Sequence, residues 1–334
     1  MASIRKHGNG YQCRIRTKGF PSQSKTFPNK AQAIQWSKVV ESEMVRGVFI
    51  DRSEAEQTTL GEALARYLTE RTPQKRGAKQ ERRRIHALIA LPWAATSLAA
   101  LRQKDFAQYR ESRLKAVSAG TVRLELAILR NLFTVAIKDW GIAVTNPLLS
   151  VKSPKAPKGR ARRLNGDEED RLLAAVKEHG RNDWLVPLIQ LAIHTGMRAG
   201  ELRSMSWSDI DLRSPHEASV RLSMTKNGTE RTVPLIKEAV EVFRRMPRAI
   251  GGDVFPSIDD TVKISRAFKR ACKWAGIEDL RFHDLRHEAA SRFAPHLQSQ
   301  ELMKVMGWKA PQMVARYYHP RVKDLLHKMQ LAAA

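Results

Sequence analysis

Two cysteines, Cys13 and Cys272, are all that 334 residues contain. They lie far apart, so there is neither a disulfide framework nor the paired spacing of a zinc site. The chain reads as reduced and cytoplasmic. Acidic residues are also scarce, with 34 Asp and Glu facing 59 Lys and Arg for a net charge of +25. Such an excess repels itself in the free protein and calls for a polyanionic partner, nucleic acid above all. Long apolar runs are missing: none approaches the roughly 20 residues needed to span a bilayer. No signal peptide opens the chain, so no membrane partner is expected. Tyrosine is rare too, yet two of the five stand side by side, Tyr317 and Tyr318 in "VARYYHPRV". What is present is 42% apolar residue, enough for real cores, in a chain long enough for two or three domains.

The expected fold class is α+β. In "HGNGYQCRIRTKGFPSQSKTF" Tyr11, Cys13 and Ile15 alternate with Gln12, Arg14 and Arg16, the pattern of a half-buried strand, and "SKTF" reads as its partner. A helix follows with Ala33, Trp36, Val40 and Met44 in step and Asn29 as N-cap. Residues 1–55 therefore read as a small β-sheet crossed by one helix, with a basic exposed face. Residues 56–152 read as all-helical. Leu60, Leu64 and Leu68 recur after a threonine cap, and a long helix carries Leu124, Ile128, Leu132 and Val135 on one face until Gly141 stops it. Arg123 and Arg130 fall off that stripe. Residues 153–163 form a basic linker, and the surrounding "VKSPKAPKGRARRL" holds two prolines and six basic side chains, Lys155 and Lys158 among them. From 164 to 334 the reading is mainly helical, with short strands at "ASVRLSM" and "RTVPLI".

Several short stretches can carry chemistry. In "HTGMRAGELRSMSW" an apolar helix stops at Thr195-Gly196 and resumes at "AGELRSM". Arg198 sits at that break, aimed into a cleft or paired on the surface with Glu201 one turn later. In "MTKNGTERTVPL" Asn227-Gly228 signals a hairpin whose tip carries Lys226. That lysine is an exposed turn residue or a mobile point charge for a phosphate. In "LRFHDLRHEAASRF" His283, Arg286 and His287 share a helical face. The i,i+4 histidines have zinc-helix spacing, but Asp284 stands where the hydrolytic motif needs glutamate and no third ligand is near. The alternative is a phosphate clamp, a guanidinium fork beside histidine donors.

Singly these motifs are weak; their order is informative. "TGMRAGEL", "TKNG", "HDLRH", "MGW" and the tyrosine nine residues after Trp308 run in sequence. In this the chain resembles the tyrosine recombinases, or phage integrases, over residues 58–334. "GTVRLELAILRNLF" and "FHDLRHEAASRF" are most similar to shufflon-type DNA invertases. The N-terminal sheet and helix resemble the arm-binding domain of integrases. The resemblance implies a helical core-binding domain over 56–152 and a catalytic domain over 164–334. It implies a catalytic set of Arg198, Lys226, His283, Arg286, Trp308 and Tyr317, supported by Glu201 and His287. Tyr317 would be the nucleophile, with Tyr318 filling a variable place.

These residue types suit phosphodiester exchange. Attack builds negative charge on the non-bridging oxygens, and two always-charged guanidiniums match those oxygens in pairs. A phenol with a pKa near 10 is a poor nucleophile at neutral pH. A cationic cluster favours its phenolate, and His283 can accept or share its proton. As the resemblance implies, Lys226 protonates the departing 5′ oxygen, and a 3′-phosphotyrosyl link conserves bond energy without ATP, metal or other cofactor. The implied partner is double-stranded DNA carrying recombination sites. It is bound by a homotetramer on two sites (monomer or dimer when free), in the nucleoid, with accessory DNA-bending proteins. Arg14, Arg16, Arg123, Arg130, Lys155 and Lys158 are expected phosphate contacts. The tail, with Val322, Leu325, Leu326 and Met329 at helical spacing, docks on its own domain or on a neighbouring protomer. Inversion or integration and excision are the expected outcomes. A type IB topoisomerase-like relaxing enzyme and a non-catalytic DNA-binding regulator remain as alternatives.

Overall fold

The structure is a computed structural model that describes residues 2–157, 159–160, 162–214, 217–223, 230–248, 251–317, 326 and 330. It divides into two compact units, 1–158 and 159–334.

The first unit begins with three antiparallel strands in sequence order, β1 (Ala2–His7), β2 (Gly10–Ile15) and β3 (Gln23–Phe27). The alternation read in β2 is real: Cys13 and Ile15 are fully buried while Arg14 and Arg16 are exposed. β1, which the sequence reading passed over, pairs Ile4 with Cys13. Helix α1 (Lys30–Val45) lies across the sheet through Ala33, Val40 and Met44, and the Asn29 side chain accepts from the Gln32 amide as N-cap.

Five helices follow: α2 (Ser53–Gln57), α3 (Leu60–Glu70), α4 (Ala78–Ile89), α5 (Gln103–Ala116) and α6 (Ala119–Lys138). Thr59 caps α3 in a reciprocal box with Glu62. The core joins Leu60, Leu64, Tyr67, Phe106, Leu129 and Phe133. On α6 the apolar stripe runs through Val122, Leu126, Leu129 and Phe133, and Leu124, expected on it, is 49% exposed. At about 100° per residue Leu124 lies some 200° round from Val122 and Leu126. The stripe also carries an acid. Glu125 is buried, receives the Tyr109 hydroxyl at 2.8 Å, and is paired with Arg113 at 2.9 Å.

The proline-containing segment after α6 forms no regular element, and arginines meet its carbonyls instead. Arg130 donates to Leu148 and Val151, Arg110 to Lys152 at 2.8 Å, and Arg123 to Pro154 at 2.7 Å.

The second unit packs α7 (Glu168–His179), α8 (Leu185–Thr195), α9 (Ala199–Arg203), α10 (Lys237–Arg245), α11 (Thr261–Trp274), α12 (Phe282–Phe293) and α13 (Ser299–Met306) around a small antiparallel sheet. Its strands are β4 (Ile210–Asp211), β5 (Ser219–Leu222) and β6 (Arg231–Pro234). α8 is apolar on nearly every side and is buried, through Leu188, Ile189 and Leu191, in a core with Phe243, Phe268 and Leu285. A smaller cluster joins the end of α12 to α13 and the 3₁₀ turn Pro311–Arg316 through Ala290, Leu302, Met306 and Val314. The fold is the expected α+β arrangement.

The basic linker is less free than its composition implied. Arg160 pairs with Asp284 at 2.9 Å and Asp279 at 3.0 Å, Arg162 with Glu168 at 2.6 Å, and Arg163 with Glu288 at 3.1 Å. Asp284 and Glu288 are one turn apart on α12, and their neighbours His283 and His287 share a different face of that helix. The carboxylates hold the incoming chain, leaving the other face for the site. Among the described residues, no helix is long and apolar enough to cross a membrane.

Candidate active site

Three pieces of the second unit meet at one place: the break between α8 and α9, the first turns of α12, and the chain from the end of α13 to Tyr317. The break exists because Gly196 ends α8 in the left-handed region at φ +65°. A β-carbon there would also fall 2.8 Å from the Met306 sulfur, so the end of that side chain would have to shift. Arg198 then becomes the N-cap of α9, its amide donating to Glu201 Oε2 at 2.8 Å and its guanidinium to Oε1 at 2.7 Å. A longer bond, 3.4 Å, reaches the Gly307 carbonyl. Glu201 thus holds both the backbone and the guanidinium of Arg198.

Arg286 is 5% exposed and reaches both other pieces, donating to the carbonyls of Gly196 and Met306. Burial and then the nearby Arg198 charge push its guanidinium down to about 9, against the opposing pull of Glu201. It remains a cation at neutral pH, one whose charge the protein has not fully met, and an incoming anion would satisfy it. Its Cζ stands 5.9 Å from the centre of the Trp308 ring. Trp308 stacks on Tyr317 with centroids 4.9 Å apart and planes 10° from parallel. The Tyr317 hydroxyl lies 2.6 Å from His287 Nδ1. Phenol and guanidiniums thus gather within one subunit.

His283 stands one ring further out, edge-on to His287 with centroids 5.2 Å apart. Desolvation first, then the His287 and Arg286 charges, push its pKa down, which keeps the ring neutral and able to accept a proton. The sequence reading gave His283 the phenolic proton; in this arrangement the ring that meets the phenol is His287.

Lys226, Tyr318, His319 and most of the tail, including Val322, Leu325 and Met329, lie outside the described residues. So does Lys158. Arg14 is exposed on β2 and Arg16 just beyond its end, Arg123 and Lys155 are exposed, and Arg130 is part-buried against backbone carbonyls. These belong to the first unit. Among the described residues, no group of three or more His, Cys, Asp or Glu side chains is arranged to hold a metal.

One residue escaped the sequence reading altogether. Arg231, at the start of β6, is bonded to both oxygens of Glu201 at 2.8 Å each. Burial alone would raise the Glu201 carboxyl, but Arg231, the Arg198 amide and the Arg198 guanidinium hold it down at about 2. The signal was there: Arg231 is two residues before the buried Val233, hence on the inward face of an alternating strand. A charge on an inward face requires a buried partner.

The phage integrase family profile matches residues 162–324. The chain is 37% identical over 281 residues to a shufflon-specific DNA recombinase of Escherichia coli, covering 81% of this chain and 71% of the relative. Its fold is similar to that of a lambda integrase dimer bound to a COC′ core site, with TM-score 0.67 and 21% identity over 96% of this chain and 95% of the other. It is also similar to a lambda integrase tetramer bound to a Holliday junction, with TM-score 0.67 and 22% identity over 95% and 94% of the two chains.

Proposed function

The chain belongs to the phage integrase family and is a tyrosine-type site-specific recombinase; from that premise we propose the roles of its residues and its substrate. Tyr317 is the nucleophile. Its phenolate oxygen bonds to the scissile phosphorus of duplex DNA while the bond from phosphorus to the 5′ oxygen breaks. One phosphate ester replaces another, so energy is conserved and a second strand's 5′-hydroxyl can reverse the step. His287 holds the phenol and accepts its proton, with His283 beside it to pass the proton on. Arg198 and Arg286 take the non-bridging oxygens, where charge grows in the transition state. Lys226 protonates the leaving 5′ oxygen, and Trp308 sets the plane of the tyrosine ring. The observation that carries this reading is the 2.6 Å contact of the Tyr317 hydroxyl with His287, on the helix that also carries Arg286.

The partner is double-stranded DNA carrying paired recombination sites. Four copies act on two sites, in the manner of the lambda integrase tetramer on its junction, and accessory DNA-bending proteins assist. Inversion is favoured over integration by the likeness to a shufflon-specific recombinase. Residues 1–55 bind arm-type DNA through Arg14 and Arg16. Residues 56–152 grip the core site with Arg123 and Arg130, 153–163 link with Lys155 and Lys158 on the backbone, and 164–334 catalyse. The test is a supercoiled plasmid carrying paired copies of the DNA that flanks the gene, incubated with protein and EDTA. Inverted or deleted product from the wild type, and none from Tyr317→Phe, is expected. Adduct formation by Tyr317→Phe would overturn the assignment, and relaxation of plasmids lacking paired sites would favour a relaxing enzyme.

A further inference from the structure

Arg231 is bonded to the carboxylate that also holds Arg198, behind the phosphate-facing cations. Its side chain is 7% exposed. Both terminal nitrogens donate to Glu201, one to each oxygen, and Nε donates to the Val305 carbonyl at 3.2 Å, two residues before Gly307. Gly307 adopts φ +62°, and a β-carbon there would stand 2.8 Å from the Arg231 guanidinium. The turn that delivers Trp308 is therefore shaped to let this arginine through. All three of its guanidinium nitrogens are already bonded, two to Glu201 and one to the Val305 carbonyl, so it acts on the clamp from behind.

Charge balance gives it a purpose. Three guanidiniums, Arg198, Arg231 and Arg286, surround one carboxylate, Glu201. Two positive charges are left for an incoming phosphate. Without Arg231 only one is left, and Glu201, already bonded to the Arg198 amide and to one guanidinium nitrogen, can draw the whole Arg198 fork into a bidentate pair. A bidentate pair of that kind is strong and directional, and it would turn the guanidinium away from DNA. We infer that Arg231 is a positioning residue: it neutralises Glu201 from behind so that Arg198 stays available to the scissile phosphate. Through Val305 it also ties β6 to the turn that carries Trp308. The inference rests on the reading of Arg198 and Arg286 as the phosphate clamp.

The test uses the full chain and a nicked duplex of the recombination site that traps the covalent adduct. Wild type, Tyr317→Phe, Arg231→Met, Arg231→Lys and Glu201→Gln/Arg231→Met are compared by single-turnover adduct rate at saturating protein, by gel-shift affinity and by melting temperature. Arg231→Met should form adduct at least about tenfold more slowly, since one cation is lost to the clamp, with DNA affinity within about twofold because Arg231 does not touch DNA. The double variant should recover at least about fivefold of that loss, because a neutral glutamine no longer competes for Arg198. A purely structural role predicts no such recovery. Arg231→Lys keeps the charge without the fork and should fall between, and with Glu201→Gln/Arg231→Lys it carries the test if Arg231→Met does not fold. An Arg231→Met rate within twofold of wild type, or a folded double variant no faster than folded Arg231→Met, overturns the inference; if Arg231→Met does not fold, a Glu201→Gln/Arg231→Lys variant no faster than Arg231→Lys overturns it. Absence of adduct from the wild type would instead overturn the clamp reading beneath it.

Discussion

Glu201→Gln isolates the electrostatic knot under the site, and its cost can be worked from the structure. The carboxyl sits at about 2 in the folded protein against its usual 4.5, held there by Arg231 and Arg198 in spite of burial. At about 1.4 kcal/mol per pKa unit this is a preference of ~3 kcal/mol for the ionised, folded form. The side chain is only 6% exposed, so little of that is screened. Because the folded pKa is depressed, the stabilisation is fully present above pH 4.5 and is lost as pH falls from 4.5 towards 2. The variant, which cannot titrate, should be about 3 kcal/mol less stable than wild type at pH 7. The gap should narrow by about 1.4 kcal/mol between pH 5.5 and 3.5, where only the unfolded wild type takes up the proton. Urea titrations of both proteins at the two pH values, followed by tryptophan fluorescence, measure it. All other carboxylates are common to the pair and cancel. A gap that stays constant across that window, or a variant as stable as wild type, would refute the reasoning.

Other consequences follow from the same contacts. Gly307→Ala places a β-carbon on a left-handed backbone 2.8 Å from the Arg231 guanidinium. It should cost at least ~1 kcal/mol from backbone strain alone, seen as a lowered melting temperature together with slower adduct formation. His287→Ala removes the partner of the Tyr317 hydroxyl and should slow cleavage about a hundredfold. The deficit should shrink as pH is raised towards the ordinary phenol value near 10, so a pH–rate profile parallel to wild type would contradict the role. Arg160→Ala strips a 2.9 Å ion pair from the buried Asp284 and should lower the melting temperature; an unchanged melt would show the pair to be idle.

The outline of the site was legible because its residues are marked by local signals. Thr195-Gly196 announces the break that turns Arg198 inward, and the spacing of His283, Arg286 and His287 puts them on one face before any fold is known. Trp308 and Tyr317 were linked by their nine-residue interval and prove to be stacked. What escaped depends on contacts between distant segments. Nothing near Arg231 in sequence says that Glu201, thirty residues earlier, needs a second cation. Which of two helix-sharing histidines meets the phenol depends on how the 3₁₀ turn Pro311–Arg316 approaches α12. Arg160 and Arg163 of the linker looked like a free basic patch, because Asp284 and Glu288, their partners, lie more than a hundred residues away. Leu124 was misplaced for a simpler reason: four apolar residues at helical spacing define a stripe only roughly, and its centre lay elsewhere.

Two adjacent tyrosines make the decisive measurement sharp. Trapping the protein on a nicked duplex, digesting it and sequencing the DNA-linked peptide by mass spectrometry assigns the phosphodiester to a single side chain. The modification is predicted on Tyr317, unchanged in Tyr318→Phe and absent in Tyr317→Phe. Phosphate found on Tyr318, or a linkage that survives loss of the Tyr317 hydroxyl, would contradict it.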